Sequence, residues 1–160
     1  MAVTKSSATA FLLMLEQVVQ VESGDSLEAR LRLVGWDEGQ PGSAGLLRHW
    51  QNGDFLVTQY GRGISAFIEA TIELSRPDPD DLDSEERLME DFEARFARSL
   101  AACSANLGEP SFVGSYGDDG FPQELDAVKT ARWLRRSGTI ALNLKHEDEG
   151  VPFRVTVTAD

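Results

Sequence analysis

The sequence predicts an α+β fold: a two-layer sandwich whose mostly antiparallel sheet is made of two meanders, with helices packed on one face. Three observations carry this. Ile64, Ala66, Ile68, Ala70, Ile72 and Leu74 alternate with Ser65, Phe67, Glu69, Thr71 and Glu73, the period-2 pattern of a half-buried strand. Leu88, Phe92, Phe96 and Leu100 recur every four residues, and Cys103 and Leu107 continue the stripe, as on a long amphipathic helix. Short alternating runs stand on both sides of that helix, separated by turn residues. The 160 residues fit a single domain, 1–160, long enough to bury a sizeable core.

The elements follow in order. Phe11, Leu12, Leu15, Val18 and Val19 share one helical face, with Ser6, Ser7 or Thr9 placed to cap its start. A short second helix is expected from Asp25 and Glu28, spaced as in a capping box. Leu27, Leu31 and Val34 form its stripe, Gly35 takes the left-handed C-terminal position and Trp36 packs back on the end. Residues Asp37 to Ser43 read as a loop. A strand from Leu46 to Gln51 leads into Asn52-Gly53, a type I′ hairpin signal, and Asp54 to Tyr60 returns. Gly61-Arg62-Gly63 turns into the strand that begins at Ile64.

Pro77 and Pro79 end the first meander, and Asp83 or Ser84 caps the long helix, which Gly108 and Pro110 terminate. Ser111 to Tyr116 is expected to be a strand. The segment from Gln123 to Arg136 fits helix spacing through Leu125, Val128 and Leu134. It fits strand alternation through Ala127, Lys129, Ala131 and Trp133. The strand is preferred, because Ser137-Gly138 then turns into Thr139. Ile140, Leu142 and Leu144 face inward. After a turn at residues Glu147 to Gly150, Val151, Phe153, Val155 and Val157 face the core of the last strand, with Arg154, Thr156 and Thr158 outward.

Charge narrows the partners. A net charge of −12 at a pI near 4.5 repels phosphate backbones and anionic lipid, so neither nucleic acid nor a membrane is expected as a partner. Arg132, Arg135 and Arg136 are the only basic cluster, too small for a nucleic-acid footprint and expected to pair with local acids. Cys103 is the single cysteine, which excludes an intrachain disulfide and fits a reducing cytoplasm. The apolar run Phe11–Leu15 is too short to span a membrane, and the expected location is cytoplasmic.

The acidity concentrates between Arg76 and Arg95. Nine carboxylates (Asp78, Asp80, Asp81, Asp83, Glu85, Glu86, Glu90, Asp91, Glu93) and three arginines give this stretch a net −6. Calcium is not expected. A loop started at Asp78 puts Leu82 at position 5 and Met89 at position 12, and one started at Asp81 puts Glu86 at position 6 and Phe92 at position 12, against the oxygen ligands and glycine that an EF-hand requires. Part of the charge suits a helix N-terminus. The bridge from Asp78 to Asp83, before the helix, is not accounted for that way.

No other motif carries chemistry. His49 and His146, the only histidines, read as surface or edge residues without partners at zinc-ligand spacing. Cys103 lies on a core stripe. Gly61-Arg62-Gly63 and Gly114-Ser115-Tyr116-Gly117 lack the lysine and helix start of a phosphate cradle. Asp118 and Asp119 with Glu124 and Asp126 resemble a carboxylate set, but acid–base work needs one of a pair desolvated. Trp36, Trp50 and Trp133 read as core or sheet residues, Trp50 being the one expected to be exposed. Tyr60 and Phe67 fall on the outer sheet face.

Leu31-Arg32-Leu33-Val34-Gly35-Trp36 after an N-terminal helix, the acidic Pro-rich bridge, and Ala131-Arg132-Trp133 followed by a Gly turn and Ile140-Ala141-Leu142-Asn143-Leu144 resemble small acidic actinobacterial proteins of unknown function. Those in turn resemble immunity proteins of polymorphic toxin systems in size, acidity and mixed fold. The order of elements is also similar to type III secretion chaperones, whose final long helix has no counterpart here. Neither resemblance brings functional residues with it.

The expectation is therefore a non-enzymatic protein-binding module without metal or cofactor, acting as monomer or homodimer on a basic protein such as a toxin or effector. The partner-binding candidates are Asp78, Asp80, Asp81, Asp83, Glu85 and Glu86, with Asp118 and Asp119 as a second cluster. Two alternatives remain, a homodimeric secretion or export chaperone and a small hydrolase using the loop carboxylates.

Overall fold

The computed structural model describes residues 7–22, 25–39, 47–148 and 150–160. The cap candidate Ser6, the loop from 40 to 43 and the strand start at Leu46 lie outside them. Helices α1 (Ala8–Gln20) and α2 (Leu27–Leu33) come first, followed by strands β1 (Asp37–Glu38), β2 (Arg48–Asn52), β3 (Phe55–Tyr60) and β4 (Phe67–Ser75). Helix α3 (Ser84–Leu107) separates these from β5 (Phe112–Ser115), β6 (Lys129–Leu134), β7 (Thr139–Lys145) and β8 (Phe153–Ala159). All eight strands form one antiparallel sheet in the order β1-β2-β3-β4-β8-β7-β6-β5. The two meanders thus join through their last strands, and α1 and α3 pack on β7 and β8 from one side. This is the α+β two-layer sandwich that the periodicity predicts.

The inner face is the core. Ile68, Ile140, Leu142, Leu144, Val155 and Val157 are fully buried, as are Leu12, Leu15, Val18 and Val19 of α1 and Phe92 of α3. Ser7 caps α1, its Oγ accepting from the Ala10 amide at 3.2 Å. Gly35, at φ 94°, ends α2, and the Trp36 amide reaches back to the Leu31 carbonyl at 2.9 Å, a helix stop that needs the positive φ glycine supplies.

Several expectations are corrected. Ser26, not Asp25, caps α2, accepting from the Ala29 amide at 3.1 Å. Asp37 and Glu38 form β1 instead of a loop. The hairpin loop is Gly53-Asp54, because Asn52 still pairs with Phe55. Gly53 takes φ 59° and Asp54 does not, the type II′ form in place of I′. Ile64 sits in a single 3-10 turn, Gly63–Ser65, and is fully exposed, so the strand starts three residues late. A bulge between Thr71 and Glu73 then reverses the alternation. Leu74 lands opposite Arg154 on the outer face, about half exposed. In the ambiguous segment a strand does form, but only from Lys129. Trp50 is fully buried, its indole N–H donating to Gln59 Oε1 at 2.8 Å.

Candidate functional site

The acidic bridge folds on itself. Asp78 Oδ1 accepts from the Asp80 amide at 2.9 Å and Asp81 Oδ1 from the Asp83 amide at 3.0 Å, local turns that aspartate favours. Ser84 Oγ accepts from the Asp78 amide at 2.8 Å and ties the bridge to the start of α3. Asp83 stands at the N-cap without a capping hydrogen bond. Arg87 pairs with Asp81, and this hydrogen bond, with that from the Asp83 amide, holds the Asp81 carboxyl below the usual carboxylate range.

Ion pairing divides the carboxylates. Besides Asp81, Asp91 pairs with Arg95 at 2.9 Å and Glu93 with Lys129 at 3.9 Å, while Glu85 Oε1 lies 3.4 Å from His146 Nε2 without a hydrogen bond. Asp78, Asp80, Asp83, Glu86 and Glu90 are exposed and among the described residues none is ion-paired. Glu90 lies beyond the first turn of α3, past the reach of the helix N-terminal field. It stands four residues from Glu86, a spacing at which like charges repel. Spacing along the predicted helix was the signal that could have added Glu90 to the candidates.

The second cluster is not joined to the first by any hydrogen bond or ion pair among the described residues. Asp118 Oδ2 accepts from the Ser115 amide at 2.7 Å, closing a turn, and Asp119 is exposed. Glu124 and Asp126 are exposed as well, whereas acid–base chemistry draws on a desolvated carboxyl.

The histidines are less ordinary than expected. His146 stacks on Phe153 at 3.9 Å with its side chain only 10% exposed. His49 Nδ1 lies 3.2 Å from Thr58 Oγ1. Cys103 is buried beside Thr9, and burial pushes its thiol pKa up, which makes it a poor nucleophile. Among the described residues no cluster of histidine, cysteine or carboxylate side chains suits a metal ion, and no helix is long and apolar enough to cross a membrane.

The outer sheet face holds a second arrangement. Glu69, 6% exposed, lies 2.7 Å from Lys145 Nζ and 3.2 Å from Arg154 Nη1, and Arg154 also binds Glu147. Burial weakens the Arg154 charge, but Glu69 and Glu147 more than offset it and raise its pKa. Tyr60 and Phe67 stack beside this network at 5.3 Å, and burial, then Glu69, pushes the Tyr60 phenol up. Thr130 Oγ1 donates to Asn143 Oδ1 at 2.7 Å, and Asn143 Nδ2 donates to Thr156 and Thr158 at 3.4 and 3.3 Å. Thr130, Asn143 and Thr156 are fully buried although polar. Period-2 alternation puts these residues outward and gives no sign that a network covers them.

Of the basic cluster, Arg135 pairs with Glu16 at 2.7 Å and Arg136 with Glu22 at 3.3 Å, as expected. Arg132 does not: its guanidinium has no partner among the described residues. Comparison with known proteins finds no matching family model, no matching curated protein and no matching solved structure.

Proposed function

We propose that this protein is a non-enzymatic binding module for a basic protein, most concretely an immunity-type protein that neutralises a cognate toxin in the cytoplasm. The observation that carries the reading is the exposed set Asp78, Asp80, Asp83, Glu86 and Glu90, none of which forms an ion pair among the described residues. Uncompensated like charges cost stability, so their concentration in one segment favours a use outside the fold. Such a face raises the association rate of a cationic partner and weakens with salt. The decisive experiment is affinity capture with the wild-type chain and with Asp80→Asn/Glu86→Gln/Glu90→Gln at rising ionic strength. A basic protein held by the wild type and released early by the variant supports the reading. A partner held equally by both removes the acidic run from the interface.

A second reading, a homodimeric export chaperone, draws on Leu56 and Leu74, exposed on the outer face. A monomeric mass by light scattering would end it.

A further inference from the structure

The outer face also holds a cleft of about 420 Å³ between the turn Gly63–Ser65 and residues 122–126 of the loop that joins β5 to β6, within the roughly 300–1,000 Å³ of small-molecule sites. Its floor is the cross-strand row Arg132–Ala141–Thr158. The methyl of Ala141 leaves a depression between two polar neighbours. Phe67, Ile64, Pro122 and Leu125 supply apolar walls, and the exposed carboxylates Glu124, Asp126 and Asp160 stand at the rim.

Arg132 sets the chemistry. The other buried or half-buried arginines, Arg30, Arg48, Arg95, Arg135 and Arg154, all hydrogen-bond to an oxygen of the protein. Arg132 is half-buried, and its guanidinium makes no hydrogen bond and no ion pair among the described residues. Its donors are therefore free, and the planar fork they form matches a carboxylate. Thr158 Oγ1 already accepts from Asn143, so its own O–H is left to donate.

We propose that this cleft binds a small monocarboxylate with an apolar body, the carboxylate on Arg132 and Thr158 and the body against Phe67 and Leu125. The rim carboxylates repel multiply charged anions and so select against phosphates and dicarboxylates. This site is separate from the acidic run on α3, and each can fail without the other.

The test is an amide-resolved NMR titration of the full chain with 3-phenylpropionate, alongside inorganic phosphate and phenethylamine. The expected result is saturable shifts at Phe67, Ala141 and Thr158 with 3-phenylpropionate alone. Arg132→Gln breaks no hydrogen bond or ion pair of the fold, so it should fold normally and bind about tenfold more weakly. Ala141→Leu fills the floor and abolishes the shifts while leaving the guanidinium in place. Absent shifts in the wild type, undiminished binding by Arg132→Gln, or equal binding of phosphate or phenethylamine would each overturn the proposal.

Discussion

The two faces of the one sheet bury their side chains by different physics. On the inner face Ile140, Leu142, Leu144, Val155 and Val157 are sealed beneath α1 and α3, and transfer from water stabilises them directly. On the outer face Thr130, Asn143 and Thr156 are as deeply buried, yet each polar group is tolerated only because a neighbouring strand supplies its partner. Glu69 extends the same logic to charge. The inner face therefore sets how much the fold is stabilised. The outer face contributes little net stability and instead specifies which strand lies beside which.

Deleting apolar bulk from the inner face should give the largest effect. Phe92 is fully buried against Phe153 at 5.8 Å, and Phe92→Ala should cost about 4 kcal/mol. Urea unfolding followed by tryptophan fluorescence measures it. A loss under about 1 kcal/mol would mean that α3 is not sealed onto the sheet.

Next comes the charge network. Glu69→Gln leaves Lys145 and Arg154 short of a counter-charge in a buried setting and should cost about 3 kcal/mol. Replacing both ends, Glu69→Met with Lys145→Met, should recover part of that loss, since Lys145 is no longer left as a buried ion and Arg154 keeps Glu147. If the double variant is as unstable as the single, the network is contributing stability and the contrast between the faces fails.

The sequence exposed these two faces unequally. Period-2 and four-residue stripes identified the core residues of β4, β7, β8 and α3, because apolar burial follows from each residue's own position in its element. Leu74 escaped, because one bulge residue reverses the alternation and has no local signal. Trp50 looked exposed beside its hairpin, but Gln59 gives its indole a partner and lets it be buried. The outer network was invisible for a different reason. Glu69 and Lys145 lie far apart in the chain, and only strand order brings them together. Arg132 reads in sequence like Arg135 and Arg136, and its isolation emerges only once the acids near it are placed. The acidic run was legible as composition, but pairing had to divide it.

A smaller effect lies at the sheet edge. Arg48 bonds Glu38 Oε1 at 2.7 Å and Glu28 Oε1 at 3.1 Å. Burial pushes the Glu28 carboxyl up, but hydrogen bonds from Gln59 and the charge of Arg48 outweigh it and lower its pKa. The hydrogen bond from Arg48 lowers Glu38. Both folded pKa values lie below the ordinary 4.5. The stability they contribute is therefore present above pH 4.5 and is lost as pH falls through the folded values. The pairs are partly solvated, so the loss should be between a few tenths of a kcal/mol and about 1. Comparing urea midpoints at neutral and acid pH for the wild type and Glu28→Gln/Glu38→Gln checks it. The variant should show the shallower acid dependence.

The acidic run should give the smallest effect on folding, and there the sign matters more than the size. Glu86 and Glu90 repel across one turn of α3, and neither is ion-paired. Glu90→Gln should leave stability unchanged or raise it by a few tenths of a kcal/mol. Asp80→Asn should stay within about 0.5 kcal/mol, because Asp80 enters the bridge turn through its backbone amide and not its side chain. Thermal unfolding at low salt measures both. A clear loss of stability would mean these carboxylates are held by the fold after all, and their exposure would no longer favour a basic partner. Unchanged or raised stability, combined with weaker capture of that partner, would separate the run from both faces of the sheet: its charges would then serve association at a cost to the fold.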